Sequence, residues 1–174
     1  MSRVAGRQLL MSGALVSAVA AGCGGVTEPY QEELSRLRSA TQEFTAVSAA
    51  LAAGYTVQLT GCMSDPALGG MGFHIGNPER TNGTVDLAKP EVLLYEPTAD
   101  GARVLVAVEY IVPFTAWTAA NPPALMGQSF RRNEEFGVWA LHVWLYRENP
   151  TGIFSEWNPR VSCTPAAPAT GMGA

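Results

Sequence analysis

The stretch that most narrows the fold is VWALHVWLY, residues 138–146. With the alternation of a β-strand, Trp139, Leu141, Val143 and Leu145 face one way, and Val138, Ala140, His142, Trp144 and Tyr146 the other. Neither face is polar enough to meet water, so such a strand has to be covered on both sides. Residues 104–112 repeat the pattern. Val104, Val106, Val108, Tyr110 and Val112 share one face; Leu105, Ala107, Glu109 and Ile111 share the other. An apolar run at 91–96 precedes them across Pro97-Thr98-Ala99-Asp100-Gly101. Two apolar runs about an Asp-Gly turn predict a β-hairpin.

A helix supplies one covering layer. Thr27 and Pro29 mark its start, and Glu28, Glu32 and Glu33 suit the positive end of its dipole. Leu34, Leu37, Phe44, Val47 and Leu51 fall on one face, and the pattern predicts a helix to Ala53 with Gly54 as its stop. Tyr55, Val57 and Leu59 then alternate with Thr56, Gln58 and Thr60, a half-buried strand closed by Cys62. Residues 71–75 form a short strand broken by Gly76-Asn77-Pro78. Residues 117–135, with Pro122-Pro123 and a charged run at 131–135, predict a long surface loop or a lid. One helix followed by strands without βα alternation places the chain in the α+β class. The expected architecture is an N-terminal amphipathic helix packed on a strongly curved antiparallel sheet or small β-barrel. In element order it resembles the cystatin and nuclear-transport-factor-like cones.

The chain has 47% hydrophobic and 15% charged residues, enough for a core and too few charges for global disorder. Its net charge of -4, without any basic run, argues against nucleic acid as a partner. The N-terminus reads as an export signal. Arg3 and Arg7 form a charged start, and residues 9–21 an apolar stretch too short for a stable transmembrane helix. Ala20-Ala21-Gly22 then lead into Cys23.

Small residues directly before a cysteine resemble the lipobox of bacterial lipoproteins, although Ala20 stands where that family carries Leu, Ile or Val. The resemblance implies removal of residues 1–22, lipidation of Cys23, a tether over 23–28 and a membrane partner through the lipid anchor. The protein would then sit in the bacterial cell envelope, on its periplasmic or outer face. Ordinary signal cleavage near Ala21 would instead leave a soluble secreted protein. Loss of two arginines takes the mature charge to 9 minus 15, or -6. Residues 29–163 are expected to form a single α+β domain, and the Pro-, Ala- and Gly-rich residues 164–174 a disordered tail.

With Cys23 acylated, Cys62 and Cys163 remain as an even pair in an oxidising compartment, and a disulfide between them is expected.

For chemistry, the chain offers no Gly-rich phosphate loop, nucleophile elbow or Cys-x-x-Cys. Its two histidines, His74 and His142, both fall inside strands, and Glu109 lies mid-strand on an apolar face. Buried imidazole and carboxylate need partners. Two histidines and one carboxylate are the donor set of many zinc, copper, iron or manganese sites. The same residues also suit a metal-free polar core network, or an organic-ligand or acid–base site. Glu91 and Glu96 are alternative carboxylates, and Met71 beside His74 would suit copper. Tyr110, Trp144 and Trp157 are candidate pocket walls.

The blocks Met71-Gly72-Phe73-His74 and Leu141-His142-Val143-Trp144 resemble those of a group of secreted bacterial proteins, over roughly residues 54–163. That resemblance implies export and carries no activity. Three functional classes stay open: an envelope lipoprotein with a His/Glu metal- or ligand-binding site, a metal-dependent or acid–base enzyme acting on a small molecule, and a purely structural envelope domain.

Overall fold

In the computed structural model, residues 29–165 and Met1 are described. The expected signal peptide, the tether with Cys23, and all but the first two residues of the tail lie outside the described residues. Helix α1 (Gln31–Thr41) carries Glu32 and Glu33 in its first turn and Arg38 in its last, each at the dipole end that favours its charge. Leu34 and Leu37 are buried beneath it. The single helix expected to reach Ala53 is interrupted. Residues 42–45 tighten into a 3-10 turn, Ala46 takes extended angles (φ -87°, ψ 115°), and α2 (Val47–Ala52) starts afresh. The break re-aims the apolar stripe. Ala50 becomes buried while Leu51, expected on the inner face, is 52% exposed. Helix α2 does end at Gly54, where the Gly54 and Tyr55 N–H groups bond back to Leu51 and Ala50 carbonyls at 3.1 and 3.0 Å.

The strands are β1 (Val57–Gln58), β2 (Met63–Asp65), β3 (Gly69–Gly76), β4 (Val92–Pro97), β5 (Arg103–Pro113), β6 (Ala124–Leu125), β7 (Gln128–Ser129), β8 (Arg131–Asn133) and β9 (Val138–Val143). Seven form one antiparallel sheet in the order β1-β3-β4-β5-β9-β8, with β2 also paired to β3. The hairpin of β4 and β5 turns through residues 98–102 as expected. The barrel and the strong curvature are not found: among the described residues β1 and β8 are the edges, and the sheet is neither closed nor strongly curled. Edges of two and three residues offer too little ladder to close a cylinder. The expected strand at 55–60 shrinks to β1, leaving Val57 and Leu59 exposed. Residues 117–135 are more ordered than a loop: β6 and β7 form a hairpin about Met126 and Gly127, both at positive φ, and β8 extends the sheet beside β9.

The sheet separates two apolar layers. Leu34, Leu37, Phe44 and Tyr55 pack on Leu93, Tyr95, Val108, Tyr110, Leu141 and Val143. On the opposite face, Val92, Leu94, Val106 and Ala107 pack with Met71, Trp144 and Val161. The two-sided cover matches what the doubly apolar strands require. One detail departs from simple alternation. The β4–β5 register slips between Leu94 and Tyr95, so Val106 has no cross-strand partner, and its carbonyl instead accepts the Tyr146 and Arg147 N–H groups, both at 3.1 Å. This bulge moves Leu105 to the helix side, away from Ala107.

Cys62 and Cys163 are joined, with Cα atoms 5.6 Å apart across a sequence separation of 101. The bridge holds the C-terminal segment over the second face, where Gly70 and Asn158 exchange backbone hydrogen bonds at 3.0 and 3.1 Å. Among the described residues no helix is long and apolar enough to cross a membrane.

Candidate metal centre

Three central strands supply the site. Glu109 on β5 and His142 on β9 stand directly opposite each other in the antiparallel ladder. His74 comes from β3, on the far side of β4. Two strand spacings, about 10 Å, separate the β3 and β5 backbones, so the His74 and Glu109 side chains meet above β4. A local irregularity in β3 sets this face. Gly72 has φ +88°, and a Cβ there would lie 2.4 Å from the Tyr95 carbonyl oxygen. The left-handed turn breaks the alternation, so that Met71 and His74, three residues apart, line the same cavity.

His74 Nε2 lies 3.8 Å from Glu109 Oε2, and His142 Nε2 lies 3.6 Å from Glu109 Oε1. The imidazole rings meet edge to face, 5.9 Å between centres. All three side chains are buried, and one ligand atom from each lies within 4.8 Å of the others. These gaps are too long for hydrogen bonds. A self-satisfied His–Glu–His network would close them, and here it does not: His142 Nε2 is buried without any partner among the described residues. Tetrahedral metal bonds of about 2.0–2.1 Å set ligand atoms ~3.4 Å apart. The two imidazole–carboxylate gaps are within a few tenths of that spacing.

Burial dominates the electrostatics. It lowers His74 to about 4, opposed by a backbone hydrogen bond at Gly72. It lowers His142 to about 3, helped by the neighbouring His74 and Arg131. It raises Glu109 to about 8, with Glu156 and Glu91 adding to the effect. At neutral pH both imidazoles are therefore uncharged and keep a free lone pair, the state a metal requires. The Glu109 carboxyl is a proton-bearing acid that a cation in contact with it would ionise.

A further contact orients His74. The Thr60 hydroxyl donates to the Gly61 carbonyl at 2.9 Å, so its oxygen is left to accept from His74 Nδ1, also 2.9 Å away. A proton on Nδ1 leaves Nε2 bare and facing Glu109, the usual support for a metal-binding imidazole. His142 has an aromatic backing instead: the Trp144 ring stacks on it at 6.4 Å and 14°, fixed by its Nε1–H donating to the Ser155 carbonyl at 2.6 Å.

The three donors line a cavity of about 300 Å³ whose other walls include Met71, Ile111, Val138, Phe136 and Trp157. Glu135 and Glu156 also line it. A larger cleft of about 690 Å³ lies on the other side of His142 and shares Asn133, Glu135 and Glu156 with the first.

The structure thus brings together His74, Glu109 and His142, with Met71 and Trp157 in the surrounding wall. Other candidates fall elsewhere. Tyr110 points into the helix-side core, its hydroxyl on the Leu87 carbonyl at 2.6 Å, because it alternates with Glu109. Trp144 backs His142 rather than lining the cavity. Glu91 alternates with Val92 and accepts the Ile111 N–H at 3.1 Å. Glu96 is engaged by Arg147 and by the Ser162 N–H. Thr60 and Glu156 escaped the sequence reading: one is a lone hydroxyl on an edge segment, the other a carboxylate in a turn-rich stretch, and neither has a local signature. No family model, curated protein or solved structure matches the chain.

Proposed function

We propose that this chain is an exported, lipid-anchored protein of the bacterial cell envelope that binds one divalent transition metal ion, zinc foremost, through His74 Nε2, His142 Nε2 and Glu109. The observation that carries the metal reading is the buried, partnerless His142 Nε2, held 3.6 Å from a carboxylate that a second bare imidazole also faces. Two imidazoles and one carboxylate suit zinc, which needs no special geometry and accepts nitrogen and oxygen donors alike. Copper, iron and manganese share parts of this donor chemistry. Export is supported by the Cys62–Cys163 disulfide, a bond that persists in oxidising compartments. Anchoring rests on the lipobox-like residues before Cys23.

Zinc titration of the purified chain, beside His142→Ala, tests the site. One zinc per chain is expected, with affinity falling roughly 100-fold or more in the variant while near-ultraviolet circular dichroism stays unchanged. Equal zinc affinity in parent and variant would remove His142 from any metal site. Mass spectrometry of the mature N-terminal peptide tests the anchor: an acylated Cys23 is expected, and an unmodified Cys23 would refute it.

A further inference from the structure

We propose that the centre is an open site, whose fourth coordination position faces the 300 Å³ cavity and takes a small, uncharged nitrogen-donor molecule with an apolar body. This inference rests on the metal reading above. Three protein donors leave a tetrahedral ion one position short, and that pattern belongs to sites that exchange ligands rather than to closed structural ones. All three donors border this cavity, and of the three only His142 also borders the larger cleft, so the cavity is the space an ion held by all three would share. The cavity is at the small end of organic-ligand pockets. At the ~30 Å³ that each molecule of liquid water takes up, it holds about ten non-hydrogen atoms.

The lining determines the chemical class. Met71, Ile111, Val138, Phe136 and Trp157 present an apolar surface that favours a hydrocarbon or heterocyclic body. Glu135 and Glu156 also border the cavity, Glu156 with Arg131 3.8 Å away, and no lysine or arginine lines it among the described residues. With Glu109 ionised, a divalent ion, three carboxylates and the Arg131 guanidinium paired with Glu156 sum to zero, so no positive charge is left over to compensate an anionic head. A neutral nitrogen donor meets both demands: it binds the ion directly and brings no charge. Phe136, 49% exposed, stands at the mouth where such a molecule enters.

The test uses the full chain loaded with cobalt(II) in place of zinc, whose visible absorption reports changes in its ligands. Imidazole, 1-butylimidazole and butanoate are the probes. Each buried methylene is worth about fourfold in affinity. The butyl chain should therefore tighten binding at least tenfold over imidazole, and butanoate should bind more weakly than either. Ile111→Ala and Phe136→Ala should each cut the butyl advantage to below threefold without changing cobalt affinity. The exposed Phe136 position keeps the test valid if Ile111→Ala fails to fold. Cobalt bound one to one with no butyl advantage, or with butanoate preferred, overturns this inference and leaves the metal centre standing. Failure to bind cobalt or zinc at all overturns both.

Discussion

Glu91 makes the protein's stability depend on pH in a calculable way. Its side chain is 2% exposed at the start of β4 and accepts the Ile111 N–H at 3.1 Å, behind a residue that lines the cavity. Burial pushes its carboxyl from 4.5 up to about 7, and the Ile111 bond only partly opposes the rise. Below pH 4.5 the group is protonated folded and unfolded, and contributes nothing. Between 4.5 and 7 only the folded chain keeps the proton, so stability falls as pH rises. At about 1.4 kcal/mol per pH unit the full loss is about 3 kcal/mol, constant above pH 7. Glu91→Gln keeps an oxygen for Ile111 and removes the titration. Urea unfolding of the unreduced chain at pH 5 and pH 8 measures it. His74, His142 and Glu109 also titrate across this range, the imidazoles stabilising with rising pH and Glu109 destabilising. They are present in both proteins, so most of their contribution cancels, and the difference between parent and variant reports Glu91 together with the small part of the Glu109 rise that the Glu91 charge causes. About 0.8 kcal/mol of the loss has already occurred at pH 5, so the parent should lose about 2.5 kcal/mol more than Glu91→Gln between the two pH values. Parallel profiles would show that Glu91 is solvated or ion-paired and that its burial has been misjudged.

Thr60→Val removes the acceptor for His74 Nδ1 and should weaken zinc binding by about tenfold, with Thr60→Ser restoring it; unchanged affinity in Thr60→Val would show that His74 needs no orienting partner. Gly72→Ala sets a Cβ 2.4 Å from the Tyr95 carbonyl at φ +88°. It should cost about 2–4 kcal/mol in urea unfolding and lower zinc affinity by displacing His74; a loss below 1 kcal/mol would contradict the bulge. Cys62→Ser with Cys163→Ser opens a loop spanning 101 residues and should cost about 2–4 kcal/mol. Its denaturation midpoint should match that of the reduced parent, and a midpoint equal to the oxidised parent would deny the bridge any stabilising role.

Much of the fold was legible in short-range patterns. The doubly apolar stretches at 104–112 and 138–146 require cover on both sides, and the structure provides a helical layer and a stapled C-terminal layer. The Asp-Gly turn placed the β4–β5 hairpin. The cysteine pair followed from parity and compartment. The three site residues could be picked out because each is ionisable within a strand that otherwise repels charge, and burial without a reason is costly.

Other features depended on the neighbours that each residue meets. The break at Ala46, the bulge at Val106 and the left-handed Gly72 each interrupt a period that the amino-acid pattern continues through. Those interruptions moved Leu51 and Leu105 off their expected faces and set Met71 beside His74. Whether the sheet closed was decided by the length of its outermost strands, and residues 131–133 became one of them only by pairing with β9. Alternation and turn chemistry are written in a few adjacent residues, so composition and order determine them. Register, bulges and the meeting of His74 with Glu109 over an intervening strand arise from packing between segments far apart in the chain. Their free energies are settled only when the whole sheet is assembled.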